Sequence, residues 1–293
     1  MLTDTKPSIS FIGAGRLGAA LGRALAARGF TIETVVTRRL ASAQKAARFI
    51  EGRPRPLAFA QLKACPDSDL LIIATPDGAI ADVAAQLAGL PQPSKRRVTL
   101  HLSGALASDT LAPLRQAGYA VGSLHPLLSL SEPVAGAEAL PAAYFCLEGQ
   151  PRAVRLARVV VRALGAKGFT VGTENKPLYH AAAVLACGHL VALFDLAAGM
   201  LTRCGLPEKQ ARAVLWPLVE STVANLSRQP PAAALTGPFA RADAATIEKH
   251  LAVLPPEARA AYLALGRHAL ELARTQGADA AGLSAIAGLL DAG

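Results

Sequence analysis

A chain of 293 residues is long enough for two domains of ordinary size, each with its own core. With 52% hydrophobic and 17% charged residues, it has the composition of a packed globular protein and not of a disordered one. The net charge of +9 comes from arginines spread along the chain with no basic run interleaved with aromatics, which points to small anionic ligands and not to nucleic acid.

In the first half, short β-rich runs alternate with helical stretches. Residues 8–12 read as a strand, 16–28 as a helix, 31–36 as a second strand and 40–50 as a second helix. Through GRPRP, at 52–56, proline and glycine are expected to break any regular element. The pattern resumes with the apolar run 70–75, a helix near 79–87, a strand at 98–102, a helix at 107–117 and a strand at 119–124. A last unit runs from a strand at 144–147 through a helix at 152–164 to a strand at 169–171. Continuous apolar strands alternating with helices predict an α/β N-terminal Rossmann domain, with a doubly wound, mainly parallel sheet, over residues 1–173.

Beyond the polar segment GTENKP the strand signals stop. Residues 174–293 are predicted to form an all-α C-terminal domain, with helices near 177–202, 208–228, 244–254, 257–276 and 283–291. The first of these is apolar nearly all round, which predicts a central, buried position. Its stretch 181–200 includes His189 and Asp195 and is therefore read as a core helix and not as a membrane span. The opening MLTDTKPSIS lacks a basic region followed by an apolar run, so no secretory signal is expected. Cys65, Cys146, Cys187 and Cys204 show no paired spacing. No zinc or other metal site and no disulfide framework is expected, and a reducing, cytoplasmic location follows.

ISFIGAGRLGAALGRAL places Gly13, Gly15 and Gly18 in GxGxxG spacing, directly after a strand and at the start of a helix. Gly13 allows the tight turn, Gly15 lets the backbone approach a pyrophosphate, and Gly18 packs helix on strand, with Arg16 and Leu17 between them. The helix N-terminus adds unpaired N–H groups and the positive end of its dipole. After the second strand, where an NAD site would carry Asp or Glu, stand Thr37, Arg38 and Arg39. Guanidinium groups bind a 2′-phosphate that a carboxylate would repel, so NADP is predicted over NAD. The open alternative is that one or both arginines only solvate the next helix start. Thr75 and Pro76, at the end of IIATPD, and His101, Ser103 and Gly104, in HLSG, fall at carboxyl ends of strands, where ligands bind. His101 has the alternative of a satisfied structural histidine.

On the helix beginning near Pro177, Lys176, His180, Ala183 and Cys187 recur at helical spacing, with Tyr179 beside the stripe. This face offers a cation, a titratable imidazole and then small residues that leave room. His180 is the first candidate for acid–base work, supported by Lys176 and Tyr179, with packing at a domain junction as the alternative. His125, before Pro126, follows another strand end and is a candidate for the substrate side. In LTGPFARAD, Thr236 and Arg241 are candidates for an anionic substrate group, and Asp243 is placed to cap the following helix. His250 lies within a helix and is read as structural.

GAGRLG, HLSG, SLHPL, KPLYHAAAV and LTGPFARAD, in that order, resemble a Rossmann-like family whose helical C-terminal half is known only as a domain of unknown function. The resemblance covers nearly the whole chain, and its architecture is similar to that of ketopantoate reductase, pyrroline-5-carboxylate reductase and 6-phosphogluconate dehydrogenase. It implies an NADP-dependent oxidoreductase, often a homodimer through the helical domain, without naming a substrate. Two positions depart from the family pattern. Gly188 stands where the family carries Asn, and Ala242 where glycine is common. The reading that follows is hydride transfer between NADPH and a carbonyl or imine of a small, carboxylate-bearing metabolite. A non-catalytic NADP-binding sensor or partner module, favoured by Gly188, stands as its alternative.

Overall fold

The computed structural model describes residues 6–93 and 97–292, which divide into two compact units, residues 1–185 and 186–293. The division falls inside the apolar run, beyond the composition shift near residue 173. Residues 186–293 carry equal numbers of acidic and basic side chains, so the whole net charge of +9 resides in the first unit.

That unit holds β1 (Ile9–Ile12), α1 (Arg16–Ala27), β2 (Ile32–Thr37), α2 (Leu40–Phe49), β3 (Arg55–Ala58), β4 (Leu70–Ile73), α3 (Asp77–Ala88) and β5 (Val98–His101). After these come α4 (Ala112–Gln116), β6 (Ala120–Leu127), α5 (Pro133–Ala139), β7 (Tyr144–Gly149), α6 (Pro151–Leu164), β8 (Lys167–Thr170) and α7 (Lys176–Ala186). The eight strands form one sheet in the order β3-β2-β1-β4-β5-β6-β7-β8. Every neighbouring pair is parallel except β6 and β7. This is the doubly wound, mainly parallel sheet expected of a Rossmann domain.

The central strands β1 and β4 are buried at every residue, as continuous apolar runs must be when helices cover both faces. One core joins Phe11, Leu21, Leu25, Phe145, Val160 and Leu164, and the other joins Ile12, Leu71, Ile73, Ile80, Leu87 and Leu114. Each such side chain contributes about 1.5–3 kcal/mol by leaving water. In α6 the period is plain. Ala153, Ala157, Val160, Val161 and Leu164 face inward, arginines face out, and Gly165 ends the helix at φ +81°.

One expectation for this half is corrected. The GRPRP segment does not break all structure, because Arg55–Ala58 forms edge strand β3, paired in parallel with β2. Pro56 is tolerated there because an outer edge needs no N–H. Helix α5 was not legible in the sequence; it begins on Pro133, which suits a first helical turn, and packs on α1.

The second unit is helical throughout its described residues: α8 (Gly188–Arg203), α9 (Glu208–Leu226), α10 (Pro231–Ala234), α11 (Gly237–Ala240), α12 (Ala244–Val253), α13 (Pro256–Thr275) and α14 (Ala280–Asp291). Ile247, Leu251, Leu263, Leu270, Ile286 and Leu290 form its core. Asp243 caps α12 by accepting from Thr246 N at 3.0 Å, and Asp279 caps α14 by accepting from Gly282 N at 2.7 Å. Ala242 holds φ +53°, a left-handed backbone that explains why glycine is common at this position in the family pattern.

The single long helix expected at 177–202 is divided. Cys187 leaves helical geometry at φ −120°, ψ −74°, between α7 and α8, so the predicted stripe ends at Ala183. The run is also not a buried core element. Residues Thr173–Arg203 are long and apolar enough to cross a membrane, yet only 6% of their most apolar window is buried. Leu178 and Val191 are 74% and 68% exposed. Hydropathy alone misplaced the run, since it records that a surface avoids water and not what covers it.

Candidate functional site

The turn between β1 and α1 uses its three glycines in three ways. Gly13 has φ +91°, and a methyl group there would lie 2.6 Å from the backbone of Ala74. At Gly18 a methyl would lie 2.8 Å from Ala74 Cβ, so helix and strand close on each other. At Gly15 nothing lies within 4 Å. That open position faces a cleft of about 670 Å³ lined by Gly13, Gly15, Thr37, Arg38, Arg39, Thr75 and Pro76 among the predicted residues. Phe59, Val83, Gln86 and Ser42 line it too; Ser42 lies in the first turn of α2 beside the two arginines, and the sequence reading missed all four.

Thr37 donates its hydroxyl to Arg39 O at 2.7 Å, which folds the strand end into α2. Both Arg38 and Arg39 are exposed, without an ion-pair partner among the described residues. The Thr75 hydroxyl is buried without a hydrogen-bond partner. Arg16 and Leu17 are outside the cleft lining. Arg16 reaches Ser131 O at 3.4 Å, and Leu17 packs on the core.

Gly13→Ala and Gly15→Ala are therefore expected to part company. The first combines a left-handed backbone with a clash against main chain that cannot yield, and should destabilise the fold by about 3 kcal/mol or more. The second should leave the melting temperature unchanged and weaken only dinucleotide binding. Thermal melts and ligand titration on the same samples separate the two.

A second cluster forms where β5, β6, β7 and α7 meet. In the antiparallel register of β6 and β7, His125 faces Cys146 and Ser123 faces Glu148. Alternation along each strand then puts all four side chains on one side. Helix α7 sets Lys176, Tyr179 and His180 at i, i+3 and i+4, one face of a helix. The Tyr179 hydroxyl lies 2.6 Å from His125 Nδ1 and also bonds the Cys146 thiol. Burial, followed by the Lys176 and His180 charges, lowers the His125 pKa to about 4, while burial raises that of Tyr179. His125 is accordingly neutral, and its Nδ1 shares a hydrogen bond with the Tyr179 hydroxyl whose direction follows the ring's tautomer. His180 Nδ1 is buried and has no hydrogen-bond partner among the described residues. Gly104 makes room for both rings: a methyl there would lie 2.5 Å from His180 Nδ1 and 2.8 Å from His125 Nε2.

Lys176 is fully buried, donates to Ser103 O at 3.2 Å and sits 5.4 Å from the Tyr179 ring centre. Burial lowers its pKa. Ser103 belongs to this cluster and not to the cleft lining; its hydroxyl donates to Asp77 Oδ2 at 2.7 Å. His101 is also fully buried, accepting from Ser103 N at Nδ1 and donating from Nε2 to Ala107 O, both at 3.2 Å. Both ring nitrogens are thus committed to backbone, the alternative left open for it, and burial lowers its pKa to about 4. Thr236 and Arg241, in the second unit, are exposed at the two ends of α11. His250 bonds the Tyr262 hydroxyl at 2.9 Å.

The two depressed histidines set an acid limit. Unfolded, each titrates near 6.5; folded, each stays neutral down to about 4. Between those values the unfolded chain binds more protons, so stability is full above about pH 6.5 and falls as pH drops toward 4, by up to about 1.4 kcal/mol per pH unit for each histidine. Denaturant unfolding at stepped pH should show this slope, reduced in His125→Asn.

Residues 2–126 match the model of a Rossmann-like domain, and 143–269 match that of the domain of unknown function DUF2520. None of the curated proteins matches the chain. A Thermotoga maritima protein of solved structure is 25% identical, with 92% of this chain and 99% of that one aligned at a TM-score of 0.73. A Bacteroides fragilis protein provisionally named an NADP oxidoreductase is 23% identical over 91% and 98%, at 0.68. Pyrroline-5-carboxylate reductase from Streptococcus pyogenes is 16% identical over 97% of each chain, at 0.57. At these identities the last two establish a common fold. The chain thus joins a Rossmann-like domain to a DUF2520 domain, the combination its motifs resemble.

Proposed function

We propose that this protein is an NADP-dependent oxidoreductase acting on a carbonyl or imine of a small, carboxylate-bearing metabolite. The observation that carries the reading is the course of residues 75–77. Thr75 and Pro76 line the glycine-loop cleft, and the next residue, Asp77, holds Ser103 in the histidine cluster. A dinucleotide cleft and a set of proton-handling groups are therefore joined within one unit. The names of the Bacteroides and Streptococcus proteins agree with this reading.

The residues present fit the cofactor. Gly15 leaves open space before the α1 N-terminus, where a pyrophosphate would be held, and the unpartnered Thr75 hydroxyl awaits a polar group. Arg38, Arg39 and Ser42 would hold the 2′-phosphate. When bound, the reduced nicotinamide supplies a hydride. His125, held at Nδ1 by Tyr179, turns Nε2 toward the substrate and orients its oxygen or nitrogen. His180 Nδ1 handles the proton, and the Lys176 ammonium favours negative charge at the same place. Fluorescence titration with NADPH and NADH, followed by a panel of oxo acids and cyclic imines, tests the reading. Failure of both dinucleotides to bind at physiological concentration would overturn it. Gly188, standing where the family it resembles carries Asn, favours a second reading, an NADP-binding module without turnover, and tight binding with no activity across the panel would support that one.

A second copy of the chain is the proposed cover for the exposed apolar run. Val191, Trp216 and Leu218, all in the second unit, are each more than half exposed, and large apolar side chains left open on α8 and α9 mark an interface. Sedimentation equilibrium should give about twice the 30.1 kDa chain mass, and Val191→Asp/Leu218→Asp should return it to one. A monomer that partitions into lipid vesicles would reject the dimer. A reducing, cytoplasmic setting is proposed as well, in keeping with four free thiols, two of them exposed.

A further inference from the structure

Glu148 is 2% exposed on β7, yet it forms no ion pair among the described residues. Its carboxylate is instead saturated with hydrogen bonds. Oε2 accepts from Ser108 N at 2.8 Å and Ser123 Oγ at 3.2 Å, and Oε1 accepts from Ser108 Oγ at 2.7 Å and Thr173 Oγ1 at 2.9 Å. Each donor belongs to a segment that carries a member of the cluster. Ser108 follows Ala107, whose carbonyl fixes His101. Ser123 lies two residues before His125 on β6, and Thr173 opens the turn that leads into Lys176.

Burying a carboxylate costs several kcal/mol unless it is bonded and compensated, and so does burying an ammonium. Here both occur in one cluster, with no ion pair between them among the described residues, and the Cys146, Glu148 and Asp77 side chains all act to raise the Lys176 pKa. Lys176 gives its one recorded hydrogen bond to a neutral carbonyl, Ser103 O. We propose that Glu148 is the positioning residue of this site: it ties the segments carrying His101, His125 and Lys176 together and serves as the counter-charge of the Lys176 ammonium. The other titratable groups around Lys176 are Asp77 from α3, His101 from β5, His125 from β6, Cys146 from β7, and Tyr179 and His180 from its own helix. Of these only Asp77 is a second carboxylate, and it is engaged by Ser103. The proposal rests on reading this cluster as the substrate site, and it holds whichever reaction that site serves.

Glu148→Gln removes the charge and keeps the shape, because the three surrounding hydroxyls can turn to accept from the new amide. Nitrogen NMR of the full chain labelled at lysine, with the Lys176 signal assigned through Lys176→Met, reads the ammonium directly. In Glu148→Gln the pH at which Lys176 loses its proton is expected to fall by about one unit or more, a tenfold change in acidity. An unchanged titration in a folded variant overturns the proposal. Should Glu148→Gln fail to fold, Thr173→Val removes one donor and leaves the charge. Amide exchange over residues 172–180 should then accelerate at least about tenfold, and exchange unchanged there overturns the tie. NADPH titration of the wild type, run in parallel, keeps the two readings apart. Absent binding would sink the oxidoreductase and leave the lysine result standing. Binding with no lysine shift in Glu148→Gln would sink the role of Glu148 alone.

Discussion

Arg38→Ala/Arg39→Ala is expected to weaken NADPH binding by about a hundredfold or more while changing NADH binding by less than about threefold. The argument starts from what the two side chains lack. Both stand at the carboxyl end of β2, line the cleft and have no ion-pair partner among the described residues. The segment around them, TRRLAS, offers no carboxylate to a ribose hydroxyl. A hydrogen bond to a charged group is worth about 1.5–3 kcal/mol, so losing two to one phosphate predicts at least that hundredfold loss. Only the 2′-phosphate distinguishes the two dinucleotides, so NADH serves as the internal control. Equal loss of both would move the arginines to the pyrophosphate, and no loss of either would return them to the solvating role left open by the sequence. Ser42→Ala should follow in the same direction by about tenfold or less, since it removes a neutral donor.

The glycine loop was legible because its physics is local: three glycines at fixed spacing between a strand and a helix have few other uses. The mainly parallel sheet followed from the run of apolar strands for the same reason. What escaped was decided by distant residues. Glu148 reads in YFCLEG as an ordinary polar residue near a strand end, and its partners Ser108 and Ser123 are 40 and 25 positions away. The only signal was a single carboxylate directly after a wholly apolar run. His125 was placed with the substrate on the strength of a strand end. Its link to Tyr179 and Cys146 needs the antiparallel register of β6 with β7, which no local pattern encodes. Strand β3 was hidden by Pro54 and Pro56, which forbid a central strand but not an edge one. The exposed run after Thr173 failed for a different reason, because a stretch that avoids water looks the same whether its own chain or another molecule covers it.

Gly104→Ala should abolish most turnover while leaving the cofactor cleft intact. The added methyl lies under 3 Å from ring atoms of both His125 and His180, so at least one imidazole must move. His180 Nδ1 has no hydrogen bond to hold it and yields first. If His125 yields instead, it does so by lengthening its 2.6 Å contact with Tyr179, which releases the ring from the partner that orients it. Displacing a proton-handling group by about 1 Å costs on the order of a hundredfold in rate. Packing one methyl into this space should cost about 1–3 kcal/mol of stability, which the first unit can lose and remain folded. NADPH affinity should stay within about threefold of wild type, since Gly104 is outside the cleft lining. Histidine nitrogen NMR supplies a readout that does not depend on finding the substrate: the His125 and His180 ring signals should both shift in Gly104→Ala, and those of His101, held by backbone on both nitrogens, should not. Tyr179→Phe tests the same relay from its other end. It should shift the His125 ring signals and slow turnover about tenfold, because the ring loses the partner that orients it. A Gly104→Ala protein with wild-type rate and unshifted rings would remove both histidines from the chemistry and leave Lys176 and Tyr179 as the remaining candidates.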